Sequence, residues 1–244
     1  MEIICDFFMK KKFTNKEISS KKKKIYQVLK DIFKNDLNLK KLNKGQIKDL
    51  FILYDHVFLF DNFYNYLTEN SINIKFEISY ENLDKLGDTR IINSNLHQIT
   101  IYQYGVNQLI HNDYTRIGGI KCYDQIQCLM HIFEHELIHA IIHVFCKEKE
   151  ENGHGYVFQT ILKNIFGHTQ IHYVNLSKKL NMTHTEIDKK VNNLKKLIKI
   201  GDIVESYQID NKVKKGGVKE IHQNYVILEN LKKLYFEYIN KIIK

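Results

Sequence analysis

Residues 124–145 read DQIQCLMHIFEHELIHAIIHVF, an apolar-rich stretch with neither glycine nor proline, and its reading decides the fold. A buried helix is what such a stretch forms. Inside it lies His135-Glu136-Leu137-Ile138-His139. Two histidines four apart on a helix sit about 40° from each other around the axis and roughly 6 Å along it, so both imidazoles reach one metal ion. A glutamate beside the first ligand can face the metal's open position and take a proton from bound water, which is the arrangement of a zinc hydrolase. Packing around a buried helix would hold such ligands in place.

Two registers compete within this helix. His131, His135, His139 and His143 form a row at four-residue spacing, which drifts by about 40° per step, so the outer two lie about 120° apart and the four cannot serve one ion. His131-Ile132-Phe133-Glu134-His135 also matches the inverted motif of another zinc protease group. Outside the metal set, His131 and His143 read as packed or hydrogen-bonded histidines near the site. A catalytic zinc site usually has three protein ligands, so one must come from beyond the helix. The candidate is His154, in Asn152-Gly153-His154-Gly155-Tyr156-Val157-Phe158. Polar residues 147–152 and the two flanking glycines describe a loop that returns a histidine to the helix, although a surface loop histidine has the same local sequence.

HELIHA at 135–140, HGYVF at 154–158 and NIFGHT at 164–169 together resemble the SprT-like metalloproteases, the group that includes the Spartan proteases acting on DNA–protein crosslinks. The resemblance implies zinc held by His135, His139 and His154, with Glu136 as catalytic base. Upstream, residues 50–67, 74–79 and 97–104 resemble that family's opening helix and small sheet. Residues 47–173, about half of the chain, are covered. Many relatives carry a cysteine-rich zinc segment after the core, yet Cys5, Cys122, Cys128 and Cys146 all precede His154, so no second zinc site is expected. Cys122 and Cys128 read as small buried hydrophobes.

Composition sets the surroundings. With 43% hydrophobic residues among 244, a sizeable core is expected. Proline and tryptophan are absent and arginine occurs only at 90 and 116, a lysine, asparagine and isoleucine bias that suggests an AT-rich genome such as that of a large DNA virus. No apolar run is expected to span a membrane and the N-terminus does not read as a signal peptide, so a reducing intracellular compartment is expected. Charge is uneven. Residues 1–46 hold 13 lysines against 5 acids, residues 174–244 hold 15 against 8, and the segment between holds 9 basic against 15 acidic residues. Basic flanks around an acidic core suit phosphate contact by the flanks and proteolysis by the core, whereas a solvated lysine-rich surface would have the same composition. Lysine in place of arginine suits phosphate better than base edges, so sequence-specific recognition is not expected.

The expected architecture is therefore α+β: a basic N-terminal extension at 1–46, a zincin-like SprT core of helices on a small sheet at 47–173, and a basic C-terminal region at 174–244. In that last region a mostly helical pattern from Leu176 to Ile200 is followed by strand-like runs at 199–209 and 218–228 around a Lys-Gly turn at 214–217. The runs resemble a small SH3-like barrel, with a winged helix as the competing fold, and residues 231–244 read as a final amphipathic helix. The expected activity is zinc-dependent cleavage of DNA-bound or DNA-crosslinked proteins, in the nucleus or at a site of DNA replication. Zinc would bring its water's pKa from about 15.7 toward neutrality and Glu136 would accept the proton; Tyr156 and His168 are candidates for an assisting hydrogen-bond donor, though the sequence does not place them. A zinc peptidase without a nucleic-acid role and a non-enzymatic nucleic-acid-binding protein with structural histidines are the alternatives.

Overall fold

In the computed structural model, which describes residues 2–33, 39, 41–81, 85–109, 114–146, 153–171, 184–206, 215–222, 225–229, 233–235 and 239–243, the α+β chain divides into two units, Met1–Asn175 and Leu176–Lys244. The first unit opens with helices α1 (Glu2–Lys10), α2 (Asn15–Ile32) and α3 (Lys44–Tyr54), a π-helical turn at Asp55–Leu59, and α4 (Asn62–Glu69). Their starts are written in the sequence. Thr14 accepts the Glu17 N–H while the Glu17 carboxylate accepts the Thr14 N–H, and Asn43 and Gln46 repeat the device, each pair satisfying two helix-end donors.

Three strands follow: β1 (Asn73–Ser79), β2 (Gly87–Asn93) and β3 (Leu96–Tyr102), in the order β1-β3-β2. β1 runs parallel to β3 and β2 antiparallel to it, which leaves β2 at one edge of the sheet. Then come α5 (Gln103–Asn107), the hairpin β4 (Thr115–Ile117) and β5 (Ile120–Cys122), α6 (Gln125–Phe145) and α7 (Tyr156–Phe166).

α6 is the axis of this unit. Asp124 caps it by accepting the Gln127 N–H at 2.8 Å, and 17 of its 21 residues are buried. Contrary to expectation, it is long and apolar enough to cross a membrane, but 83% of its most apolar window lies inside the protein. The apolarity has a local cause: β2 and β3 cover the helix on one side and α1, α2 and α7 on others, so only the face that carries the histidine row is polar. Phe145 near its end contacts the rings of Phe8, Phe63 and Tyr66 at 4.6–5.5 Å. Burying one such ring stabilises the fold by about 1.5–3 kcal/mol.

Within residues 1–46, α1 and α2 are not an appended extension. Phe8 of α1 and Ile18, Ile25 and Leu29 of α2 join the core that contains α6, and the Phe13 N–H donates to the Asn164 carbonyl at 3.0 Å. The lysine run hides an amphipathic helix whose apolar stripe docks against the core. Cys5 and Cys146 are disulfide-bonded, which joins α1 to the end of α6, whereas Cys122 and Cys128 are free and buried.

The second unit contains α8 (His184–Leu197) and strands β6 (Ile203–Ser206), β7 (Lys215–Ile221), β8 (Tyr225–Leu228), β9 (Lys233–Tyr235) and β10 (Ile239–Ile243). The sheet is antiparallel in the order β10-β6-β7-β8-β9, over a core of Leu194, Ile198, Val204, Val218, Val226, Leu228, Leu234 and Ile239. Two expectations are corrected. The described part of 231–244 is strand, not helix, because pairing of Ile242 with Val204 in β6 places this segment in the sheet. Gly216 and Gly217 lie inside β7 and not in a turn. A Cβ at Gly217 would come within 2.7 Å of the Glu229 carboxylate, so a neighbouring side chain fills the space. Lys214 and residues 176–183 lie outside the described residues.

Candidate metal centre

Helical spacing brings His135 and His139 side by side with ring centroids 5.0 Å apart. His154 arrives from the other side, between Gly153 and the start of α7. Gly153 has φ of 69°, the left-handed backbone that glycine adopts without a Cβ penalty, and this turn aims the following histidine inward. The Gln159 side-chain amide donates to the His154 carbonyl at 2.9 Å and fixes the turn to α7. The Phe158 ring, fully buried, lies 4.6–4.8 Å from all three imidazoles and forms a common floor. The expected polar loop at 147–152 lies outside the described residues.

The three Nε2 atoms converge. His154 Nε2 is 2.9 Å from His135 Nε2 and 3.1 Å from His139 Nε2, and the set can hold a metal ion. Tetrahedral zinc with nitrogens at about 2.0–2.1 Å separates its ligands by about 3.3 Å, so a few tenths of an ångström of outward movement fits the donors present to that cation. Burial, then the charges of His154 and His143, push the His139 pKa down to about 3, which keeps it in the unprotonated form that ligates.

Glu136 lies beside this trio in a cavity of about 520 Å³ lined also by residues 85–89, His131 and His168. Its carboxylate accepts the Thr89 hydroxyl at 2.8 Å, and the same hydroxyl is 3.0 Å from the Glu136 carbonyl. β2 approaches so closely that a Cβ on Gly87 would come within 2.6 Å of the Glu136 side chain. Burial raises the Glu136 pKa to about 8 in the absence of a cation, against the lowering effect of the Thr89 hydrogen bond. A cation held by the neighbouring histidines would oppose that rise and favour the carboxylate form.

A second set of metal-ligand types, His131, Glu134 and His168, has a different construction. Glu134 is fully buried, and its Oε2 accepts from His131 Nδ1 at 2.8 Å, His168 Nε2 at 2.6 Å and Lys22 Nζ at 2.9 Å. Its Oε1 accepts the Tyr54 hydroxyl at 2.7 Å. Burial alone would raise the Glu134 pKa, but Lys22 and His131, with hydrogen bonds from His131 and His168, hold it well below the usual carboxylate range. Burial lowers His131 and brings His168 down to about 4, so both donate as neutral rings. Donors point inward at a carboxylate oxygen, and the Lys22 ammonium is the cation. Ligands around a metal point their lone pairs at a shared centre, and here an oxygen atom occupies that centre.

The inverted motif requires His131 and His135 to share one ion, whereas these rings belong to separate groups. His143 stacks between His139 and His97 at 6.3 and 6.1 Å and joins neither group. Tyr156 is 77% exposed and does not line the cavity, so it is not positioned as the expected donor. His168 lines the cavity, but its Nε2 proton goes to Glu134. Sequence reasoning missed Lys22, Tyr54, Gly87 and Thr89. For Lys22 a signal existed: it follows Ile18 by four residues and precedes Ile25 and Leu29 by three and seven, on the inward stripe of α2.

No family model, no curated protein and no solved structure matches the chain.

Proposed function

We propose that the chain is a zinc-dependent endopeptidase of the SprT-like type that acts on DNA-associated proteins. The observation that carries the reading is the convergence of three Nε2 atoms, from His135, His139 and His154, beside a buried glutamate held by a strand edge. Bound there, zinc would supply Lewis acidity toward a water molecule and a peptide carbonyl. Glu136 takes the proton of the attacking water onto its carboxylate and returns it to the leaving amine nitrogen. Thr89 holds that carboxylate in place through both transfers, and Gly87 leaves the space it occupies. Phe158 closes the floor beneath the ligands and excludes water from that side.

Support for the DNA association is the charge distribution, with 15 lysines against 8 acids in residues 174–244. The strand order of the second unit, in which the last strand returns beside the first, favours the SH3-like barrel over the winged helix. The N-terminal lysines contribute less than their number suggests. Lys22 is committed to Glu134, and Lys21 donates to the Val57 carbonyl and packs over Phe13 and Phe60. That internal use favours a second reading, a zinc peptidase with no nucleic-acid role.

One experiment separates the readings. Metal content and self-cleavage are measured with and without single- and double-stranded DNA at low salt, on wild type and Glu136→Gln. The proposal expects about one zinc per chain in both proteins, cleavage by wild type alone, and faster cleavage with DNA. Equal rates with and without DNA select the second reading, and undiminished cleavage by Glu136→Gln overturns the mechanism.

A further inference from the structure

α1 joins the two helices that carry the histidine trio. His135 and His139 lie on α6 and His154 just precedes α7, so the placing of those helices decides whether the three Nε2 atoms meet. α1 packs against both. Near its start Cys5 is disulfide-bonded to Cys146, the residue that ends α6 and donates its N–H to the Ile142 carbonyl at 2.9 Å. Further along, the fully buried Phe8 ring meets Phe145 at 5.5 Å. Just beyond the end of α1 the Phe13 N–H donates to the Asn164 carbonyl of α7. The segment from Cys5 to Phe13 is therefore a clasp over both ligand-bearing helices, and one of its fastenings is covalent.

The covalent fastening is also the one that thiol chemistry can undo. Cys5 and Cys146 are half-buried, whereas Cys122 and Cys128 are buried and free, so a dissolved thiol reaches the bonded pair first. A helix of nine residues is marginal alone, so α1 depends on its fastenings for its place. Where a compartment keeps thiols reduced, a disulfide within reach of solvent is transient and reports the redox state. We propose that Cys5–Cys146 is a reversible redox switch on metal retention. Bonded, it holds α1 across α6 and α7 and the trio keeps its cation; reduced, α1 opens locally and the cation leaves faster. The reductant is a dithiol. One of its thiolates attacks a sulfur of the pair, its second thiol resolves the mixed disulfide, and two electrons and two protons pass to Cys5 and Cys146 while the reductant closes its own S–S bond. The inference rests on the reading of the trio as a zinc site.

The test is the rate of zinc release from full-length, zinc-loaded Glu136→Gln protein into excess chromogenic chelator. It is run on protein oxidised with glutathione disulfide and again after reduction with a phosphine, used because thiols compete for zinc. Thiols counted in denaturant should be those of Cys122 and Cys128 alone in the oxidised protein and those of all four cysteines after reduction. Release should be at least about tenfold faster after reduction, from a protein still folded by circular dichroism. Cys5→Ser and Cys146→Ser should each release zinc at the reduced rate and be indifferent to the phosphine. A cross-link that acts only on the unfolded chain, through loop entropy over a separation of 141 residues, lowers Tm on reduction but leaves release from the folded protein unchanged. Equal release from the two forms therefore overturns the proposal, as do four titratable thiols in the oxidised protein or global unfolding on reduction. If neither form binds zinc, the peptidase reading fails and this one with it; if both hold zinc equally, only this one fails.

Discussion

The two histidine groups of α6 use nearly the same residue types for opposite purposes. In one, His135, His139 and His154 turn three Nε2 atoms toward one point, an arrangement that can hold a cation. In the other, His131, His168 and Lys22 turn their protons toward Glu134, which is complete without any ion. A metal site is therefore recognised by where the lone pairs point, and a count of histidines and carboxylates within reach does not distinguish the two. Adjacent positions on one helix, Glu134 and His135, fall on opposite sides of that distinction.

The contrast can be broken most sharply at the first group. Glu136→Gln should reduce proteolysis of a denatured protein substrate by about 10²–10⁴-fold, the usual worth of a general base, with zinc content unchanged. His139→Ala should remove both zinc and activity while the metal-free protein unfolds at nearly the wild-type denaturant concentration. If the metal content survives His139→Ala, the trio is wrongly assigned.

The second group should show the reverse pattern. Lys22→Met leaves a buried carboxylate without its cation and should cost about 3–5 kcal/mol in urea unfolding, with about one zinc per chain retained. Pairing it with Glu134→Gln should recover much of that loss, since the uncompensated charge is then gone. A smaller effect is expected between the groups, at the strand that holds the base. Thr89→Val removes a hydrogen bond to a carboxylate and should lower kcat/KM on the order of tenfold, with Thr89→Ser restoring it.

Acid should act on both groups in the metal-free protein, since His139 is depressed as His131 and His168 are. His131 and His168 have pKa values below their unfolded value of about 6.5, so they contribute stability that is present above that pH and lost as pH falls toward about 4. Glu134, depressed below its ordinary value, adds a further loss below about 4.5. Thermal unfolding in chelator at pH 7.5, 6 and 5 should show a falling Tm, and His168→Asn should flatten that slope. A Tm independent of pH over this range would show that the buried rings do not hold their protonation states as inferred.

What the chain discloses before folding depends on distance along it. α6 and its two candidate ligands are legible because helical periodicity is local, and His154 is legible because Gly153 and Gly155 mark the turn. Lys22 meets Glu134 across 112 residues, and only its place on the Ile18, Ile25 and Leu29 stripe sets it apart from the lysines beside it. The last residues mislead for the same reason. Lysine and apolar residues alternate there in a way that satisfies a helix, but pairing with β6 decides for strand, and no local pattern records that partner. Thr89 and Gly87 stayed hidden because β2 acquires its role from the side chain of Glu136 that lies against it.

α6 also makes demands on the cell that produces it. A 21-residue segment with the apolarity of a membrane span leaves the ribosome before α7, which is one of the elements that cover it. Until α7 has emerged and docked, the nascent chain presents a surface suited to bilayers, to chaperones and to other unfinished copies of itself. The segment that carries the candidate chemistry is therefore also the main hazard of its biosynthesis.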